Sequence, residues 1–136
     1  RDKNIEIQNL TNLNHFLITE PLFIQTIITN LIENSILYSK QGGKVVVSSI
    51  QTEEGCEIRV EDNGIGIDKE DLEKIFNRFY RVDKSKSRQT GGSGLGLPIV
   101  KALVNRLGGR ISIKSELDNG TEVEIFVPDF QENKVA

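Results

Sequence analysis

A chain of 136 residues with 37% hydrophobic and 27% charged residues has the size and balance of one globular domain, which excludes both a disordered polymer and two independent cores. Seventeen Lys and Arg against twenty Asp and Glu give a net charge of −3, so nothing suggests nucleic acid, and the single Cys56 excludes an internal disulfide and fits a reducing compartment. No apolar run approaches the roughly 20 residues that span a bilayer, and the start on Arg1 without a signal peptide suits a soluble, cytoplasmic-type segment cut from a longer protein.

Residues 4–8 and 16–18 alternate and predict two short strands or one interrupted edge strand. Pro21, after Thr19 and Glu20, suits a first helical position because its missing N–H has no partner there anyway. Ile24, Ile27, Ile28, Leu31, Ile32 and Ser35 then recur at helical spacing and predict an amphipathic helix over 21–38, stopped at Gln41-Gly42-Gly43. Residues 44–50 and 57–61 read as a hairpin around Glu53-Glu54-Gly55. Asp68 is placed to cap a short helix carrying Asp71, Ile75 and Phe76. Residues 80–93 show no periodicity, residues 95–107 are helical again, and Gly108-Gly109 ends that helix. Residues 110–115 and 121–127 form a second hairpin around Asp118-Asn119-Gly120, and 131–136 reads as a tail. Two antiparallel hairpins interleaved with helices predict an α+β sandwich, a mixed sheet with helices on one face.

Four clusters carry possible chemistry. Asn30 and Asn34 stand four apart, so their amides stack on one helix face, where a carboxamide oxygen suits Mg²⁺ but cannot act as a base. Asp62-Asn63-Gly64-Ile65-Gly66-Ile67 follows a strand, and a carboxylate there can accept from an exocyclic amine. Gly91-Gly92-Ser93-Gly94-Leu95-Gly96-Leu97 precedes a helix and leaves backbone N–H groups free for phosphate, yet it is neither a Walker A loop nor a convincing dinucleotide fingerprint. Phe76-Asn77-Arg78-Phe79-Tyr80-Arg81 leads into Lys84, Lys86 and Arg88, cations able to close over a triphosphate. Each cluster alone reads at least as well as solvated asparagines, a turn or a charged loop. Their joint, ordered occurrence carries the argument.

Together they resemble the ATP-binding catalytic domain of sensor histidine kinases, within the wider group (the GHKL superfamily) that includes a heat-shock chaperone, DNA gyrase and mismatch-repair ATPases. The resemblance runs over 5–128. Residues 30–38 look like the N box, 62–67 the first glycine box, 76–81 the F box, 92–97 the second glycine box, and Gly120-Thr121 the last glycine-threonine element. Phe79-Tyr80-Arg81-Val82-Asp83 is typical of the kinases rather than of the ATPases.

The resemblance implies a two-layer α/β sandwich of the Bergerat type and a single ATP-binding domain over 1–136, with 80–93 as the ATP lid. It makes Asn34 the Mg²⁺ ligand with Asn30 nearby, and Asp62 the acceptor of the adenine amine. Gly64 and Gly66 would give the ring room, Tyr38 and Ile67 would line its pocket, and Thr121 would support it. Arg81 and the N–H groups of Gly92, Gly94, Leu95 and Gly96 would meet the phosphates. The implied activity is transfer of the ATP γ-phosphoryl group to a histidine on a separate dimerisation domain, and from there indirectly to a response regulator. It further implies a monomeric isolated domain and a homodimeric parent anchored in the cell membrane.

Two departures stand out. Leu37 occupies the position where the family often has a phosphate-reaching lysine. The only histidine, His15, has no acidic neighbour and reads as an ordinary edge-strand residue, so no phosphoacceptor lies in the chain. Asn30, where the group's ATPases carry a glutamate base, favours a kinase over an ATPase, and Glu33 is rotated about 100° from Asn34 on the helix. The alternatives are a nucleotide-binding or interaction module that has lost activity, an ATPase of the same group, or an anti-sigma-factor serine kinase.

Overall fold

The computed structural model describes residues 5–11, 17, 19–76 and 96–129. Five strands form one sheet: β1 (Glu6–Leu10), β2 (Lys44–Gln51), β3 (Gly55–Asp62), β4 (Arg110–Glu116) and β5 (Gly120–Pro128), in the spatial order β1-β2-β3-β5-β4. β1 runs parallel to β2, and the remaining three pairings are antiparallel. The helices are α1 (Pro21–Leu37), α2 (Lys69–Leu72) and α3 (Gly96–Arg106). None of them is long and apolar enough to cross a membrane.

Strand alternation divides the sheet into two faces. Val45 and Val47, Cys56, Ile58 and Val60, and Val123, Ile125 and Val127 are buried toward the helices. Ile27 and Leu31 of α1 and Leu97, Val100 and Val104 of α3 close that core at four-residue and near-four-residue spacing. The opposite face is mostly polar, with Ile50 and Phe126 among its apolar exceptions on β2 and β5. There Arg59 on β3 reaches Glu122 at 3.2 Å and Glu124 at 3.6 Å on β5. The result is two layers, a mixed sheet with its helices on one side.

Local chemistry explains where elements start and stop. Pro21 begins α1, and the Glu20 carbonyl, not its side chain, accepts from the Phe23 and Ile24 N–H groups. The Asp68 carboxylate caps α2 by accepting from the Glu70 N–H at 3.4 Å, a long bond. This helix is shorter than the spacing predicts. After Leu72 the chain continues as turns, with Ile75 buried in the core and the Phe76 ring 5.0 Å beneath the Lys101 ammonium of α3.

The N-terminal strand lies two residues later than its alternation suggests, because parallel pairing of Glu6 with Lys44 through Leu10 with Ser48 sets its extent. The expected strand at 16–18 and His15 lie outside the described residues, apart from Leu17, which packs against the core. Gly120 belongs to β5, paired with Glu116, so the hairpin loop is Leu117-Asp118-Asn119, with Asp118 at φ 67°.

The loop after β3 is packed backbone to backbone. Gly66 sits at φ 74°, and a Cβ there would lie 2.0 Å from the Glu116 carbonyl oxygen. Gly42 has almost the same φ, 72°, but open space around it. Gly66→Ala therefore combines left-handed strain with a backbone clash, whereas Gly42→Ala meets strain alone. Urea unfolding is expected to show about 1 kcal/mol lost for Gly42→Ala and at least about 2 kcal/mol more for Gly66→Ala; equal losses would mean that the hairpin yields freely.

Candidate functional site

The site begins with register. Asp62, the last residue of β3, pairs with Val45 on one side and Thr121 on the other, and Thr121 pairs with Ser115. Asp62, Thr121 and Ser115 therefore form one row on the helix-bearing face at the end of the sheet. α1 brings the buried Ser35 onto this row.

The Asp62 carboxylate accepts from the Gly64 N–H at 2.9 Å, and the Ser35 hydroxyl and the Thr121 N–H stand close enough to stabilise its charge. Burial pushes its pKa up, and these groups only partly pull it back. A carboxylate placed this way is an acceptor surrounded by three separate elements. Beside it, Ser115 Oγ accepts from the Ile67 N–H at 2.7 Å, donates to the Gly120 carbonyl at 3.0 Å and lies 2.7 Å from Thr121 Oγ1.

A cleft of about 630 Å³ opens over this row, lined by Asp62, Ile67, Leu72, Ser115 and Thr121, with Lys69 at α2. Its volume suits a small organic ligand, and charged side chains, Glu61, Lys114 and Glu122 among them, rim the apolar Ile67 and Leu72. The room that Gly64 and Gly66 leave is filled by backbone, since Cβ atoms would lie 2.4 Å from the Tyr38 carbonyl oxygen and 2.0 Å from that of Glu116. Tyr38 enters the site through that carbonyl, which accepts from the Ile65 N–H at 3.1 Å.

The polar face of α1 forms a second group. Asn30 donates from Nδ2 to the Thr26 carbonyl at 2.8 Å, and its oxygen lies 3.7 Å from where a Cβ on Gly96 would sit. The helix thus meets the N-terminus of α3, where the second glycine motif ends. Asn34 is half-buried one turn later, and among the described residues its carboxamide makes no hydrogen bond. Glu33 points to solvent. Asn30, Asn34 and Gly96 do not line the cleft; Ser35, next to Asn34 and beside Asp62, links the two groups. Arg81, Gly92, Gly94, Leu95 and the segment 80–93 lie outside the described residues.

Two residues of the site carry no motif signature. Ser35 sits in the apolar stripe of α1, and a small polar residue at such a position is the only hint that it serves a half-buried acceptor. Ser115 has an inward position of β4, and only strand register brings it to Ile67, Gly120 and Thr121.

Comparison with known proteins agrees with this geometry. The profile of the histidine kinase-, DNA gyrase B- and HSP90-like ATPase family matches residues 19–131. The chain is 39% identical to the sensor histidine kinase WalK of Bacillus subtilis, over 98% of this chain and 22% of that protein. The mycobacterial sensor histidine kinase MprB superposes with a TM-score of 0.79 at 29% identity, covering 92% of this chain and 84% of that one. Full-length ShkA, solved in complex with AMPPNP, superposes with a TM-score of 0.75 at 25% identity over 93% of this chain and 26% of that one. The chain spans about a quarter of the length of the curated relatives it matches. A half-buried strand-end carboxylate over a glycine loop, a paired-asparagine helix and a matching profile across most of the sequence converge: the chain belongs to the histidine kinase-, DNA gyrase B- and HSP90-like ATPase family, and its relatives are sensor histidine kinases.

Proposed function

We propose that this domain binds Mg-ATP and presents the γ-phosphoryl group to a histidine on a separate helical domain of its parent protein. The observation that carries the reading is the Asp62 carboxylate, half-buried at the end of β3 with Ser35, Gly64 and Thr121 around it. Such a fixed, partly desolvated acceptor matches the exocyclic amine of adenine and repels a carbonyl. The AMPPNP complex of the similar ShkA structure supports a nucleotide in this fold.

The rest of the assignment follows the polar face of α1. Asn34 Oδ1, without a partner among the described residues, would hold Mg²⁺ together with phosphate oxygens and water, since one carboxamide leaves most of an octahedral shell to fill. The metal would neutralise phosphate charge. Gly96 would offer its N–H at the positive end of α3, next to the Asn30 oxygen. Arg81 and the N–H groups of Gly92, Gly94 and Leu95 would complete the phosphate contacts. Phosphoryl transfer needs mainly positioning and charge neutralisation, and these groups supply both.

A hydrolytic role fits less well. Asn30 has no basic atom, its N–H₂ is engaged by the Thr26 carbonyl, and Glu33 faces solvent. Attacking water would find no base on α1. The acceptor histidine, the response regulator beyond it and membrane anchoring belong to the parent protein.

Calorimetric titration with ATP tests the reading directly. Saturable binding that tightens with Mg²⁺ is expected, and no binding at millimolar ATP would refute it. Incubation with Mg-ATP and a histidine-bearing helical domain is expected to yield an acid-labile phosphate on that domain; free phosphate alone would indicate an ATPase.

Asp62→Asn separates binding from folding. The variant keeps an acceptor for Gly64 and Ser35 but loses the charge, so ATP affinity is expected to fall about 10- to 100-fold. The folded state binds the Asp62 proton more tightly than the unfolded chain does, so this group disfavours folding increasingly as pH rises through the carboxylate range. The stability of Asp62→Asn relative to the native chain should thus be near zero in acid and turn favourable toward neutral pH. A variant less stable at pH 7 than at pH 3, relative to the native chain, would contradict the burial argument. Asn34→Ala is expected to erase the Mg²⁺-dependent part of ATP affinity and leave the metal-free part; equal losses with and without metal would make its role structural.

A further inference from the structure

The strongest unassigned feature is the Ser115 hydroxyl, which lies on the cleft wall without being free to contact a ligand. A hydroxyl has one proton and two lone pairs. The Ser115 proton goes to the Gly120 carbonyl at 3.0 Å, and one lone pair takes the Ile67 N–H at 2.7 Å. What remains for Thr121 Oγ1, at 2.7 Å, is the second lone pair. The arrangement that makes all three contacts at once has Thr121 donate its proton to Ser115, which leaves Thr121 only lone pairs toward the cleft. Asp62, its neighbour in the row, is likewise an acceptor.

We propose that Ser115 is a positioning residue that sets base selectivity: by saturating its own hydroxyl it turns the Thr121 proton away from the cleft, so that Asp62 and Thr121 together present acceptors alone. An amine at C6 of the purine carries two N–H bonds and meets both favourably. A carbonyl at that same position meets two acceptors and loses its water contacts without replacement. A threonine free to rotate would offer its proton to that carbonyl and blunt the discrimination. The inference rests on the reading of Asp62 as the base acceptor and adds the residue that keeps its neighbour from undoing the choice.

The test is titration of the 136-residue chain with ATP and with GTP, alongside thermal melts. The native chain is expected to prefer ATP. Ser115→Ala should reduce that preference about tenfold, mostly by improving GTP relative to ATP, whereas Ser115→Thr, which keeps the hydroxyl, should retain it. Thr121→Val should also reduce the preference, and adding Ser115→Ala to Thr121→Val should change the ratio no further. Ser115→Ala weakening both nucleotides by one factor would overturn the proposal, as would a native chain without preference or additive losses in the double variant. If Ser115→Ala does not fold, Thr121→Val decides, because it leaves the Ser115 bonds to Ile67 and Gly120 in place; an unchanged preference there overturns the proposal. Asp62→Asn distinguishes the two levels. Native-like ATP binding by that variant removes the base-pocket reading itself, whereas its failure together with an intact preference in Ser115→Ala removes only the role of Ser115.

Discussion

A carboxylate drawn partly out of water needs partners, and the Asp62 end of the sheet is arranged to supply them. Taking Asp62 out of water costs free energy, which shows in its raised pKa. The offset comes from three directions: a hydroxyl from α1, an N–H from the loop that follows β3, and an N–H from the neighbouring strand β5. These contributions require α1 to cross the sheet at Ser35, β5 to lie between β3 and β4, and the chain to turn back at Gly64. The order β1-β2-β3-β5-β4 is what makes β3 and β5 neighbours. The Asp62 carboxylate and the topology are thus linked through one desolvation cost.

The glycines show how the site is kept in shape. Gly64, Gly66 and Gly120 each lie where a Cβ would run into backbone: the carbonyls of Tyr38, Glu116 and Asp62 respectively. Their small size lets three backbone segments close on one another rather than leaving space for a ligand. Ser115 then ties the Ile67 N–H to the β4–β5 hairpin. A cleft walled by mutually bonded backbone does not need to be organised when a ligand arrives.

The two faces of α1 differ in character. Ile27 and Leu31 bury the helix against the sheet, while Asn30 and Asn34 form a polar strip beside α3. That strip has acceptor oxygens and no base, the makeup expected of a group that holds metal and phosphate without activating water. Family membership agrees, since the relatives that match over most of this chain are sensor histidine kinases.

Much of this was legible in the residues. The i, i+3, i+4 recurrence of Ile24 through Ser35 marked α1 to within a residue, and alternation marked the two hairpins, because both signals report which side of an element is buried. Asp62, Asn30 and Asn34 stood out because short motifs keep their spacing along the chain. Other features have no linear signature. The parallel pairing of β1 with β2, the early end of α2, the Cβ clashes that require Gly66 and Gly120, and the roles of Ser35 and Ser115 all depend on residues far apart in sequence. Sequence alone determined the elements, the family and the candidate acceptors, since periodicity and motif spacing are local. Only the tertiary structure decided which hydroxyl stands beside Asp62 and that Ser115 meets Ile67, Gly120 and Thr121 at once, because hydrogen bonds are allotted among groups that folding brings together.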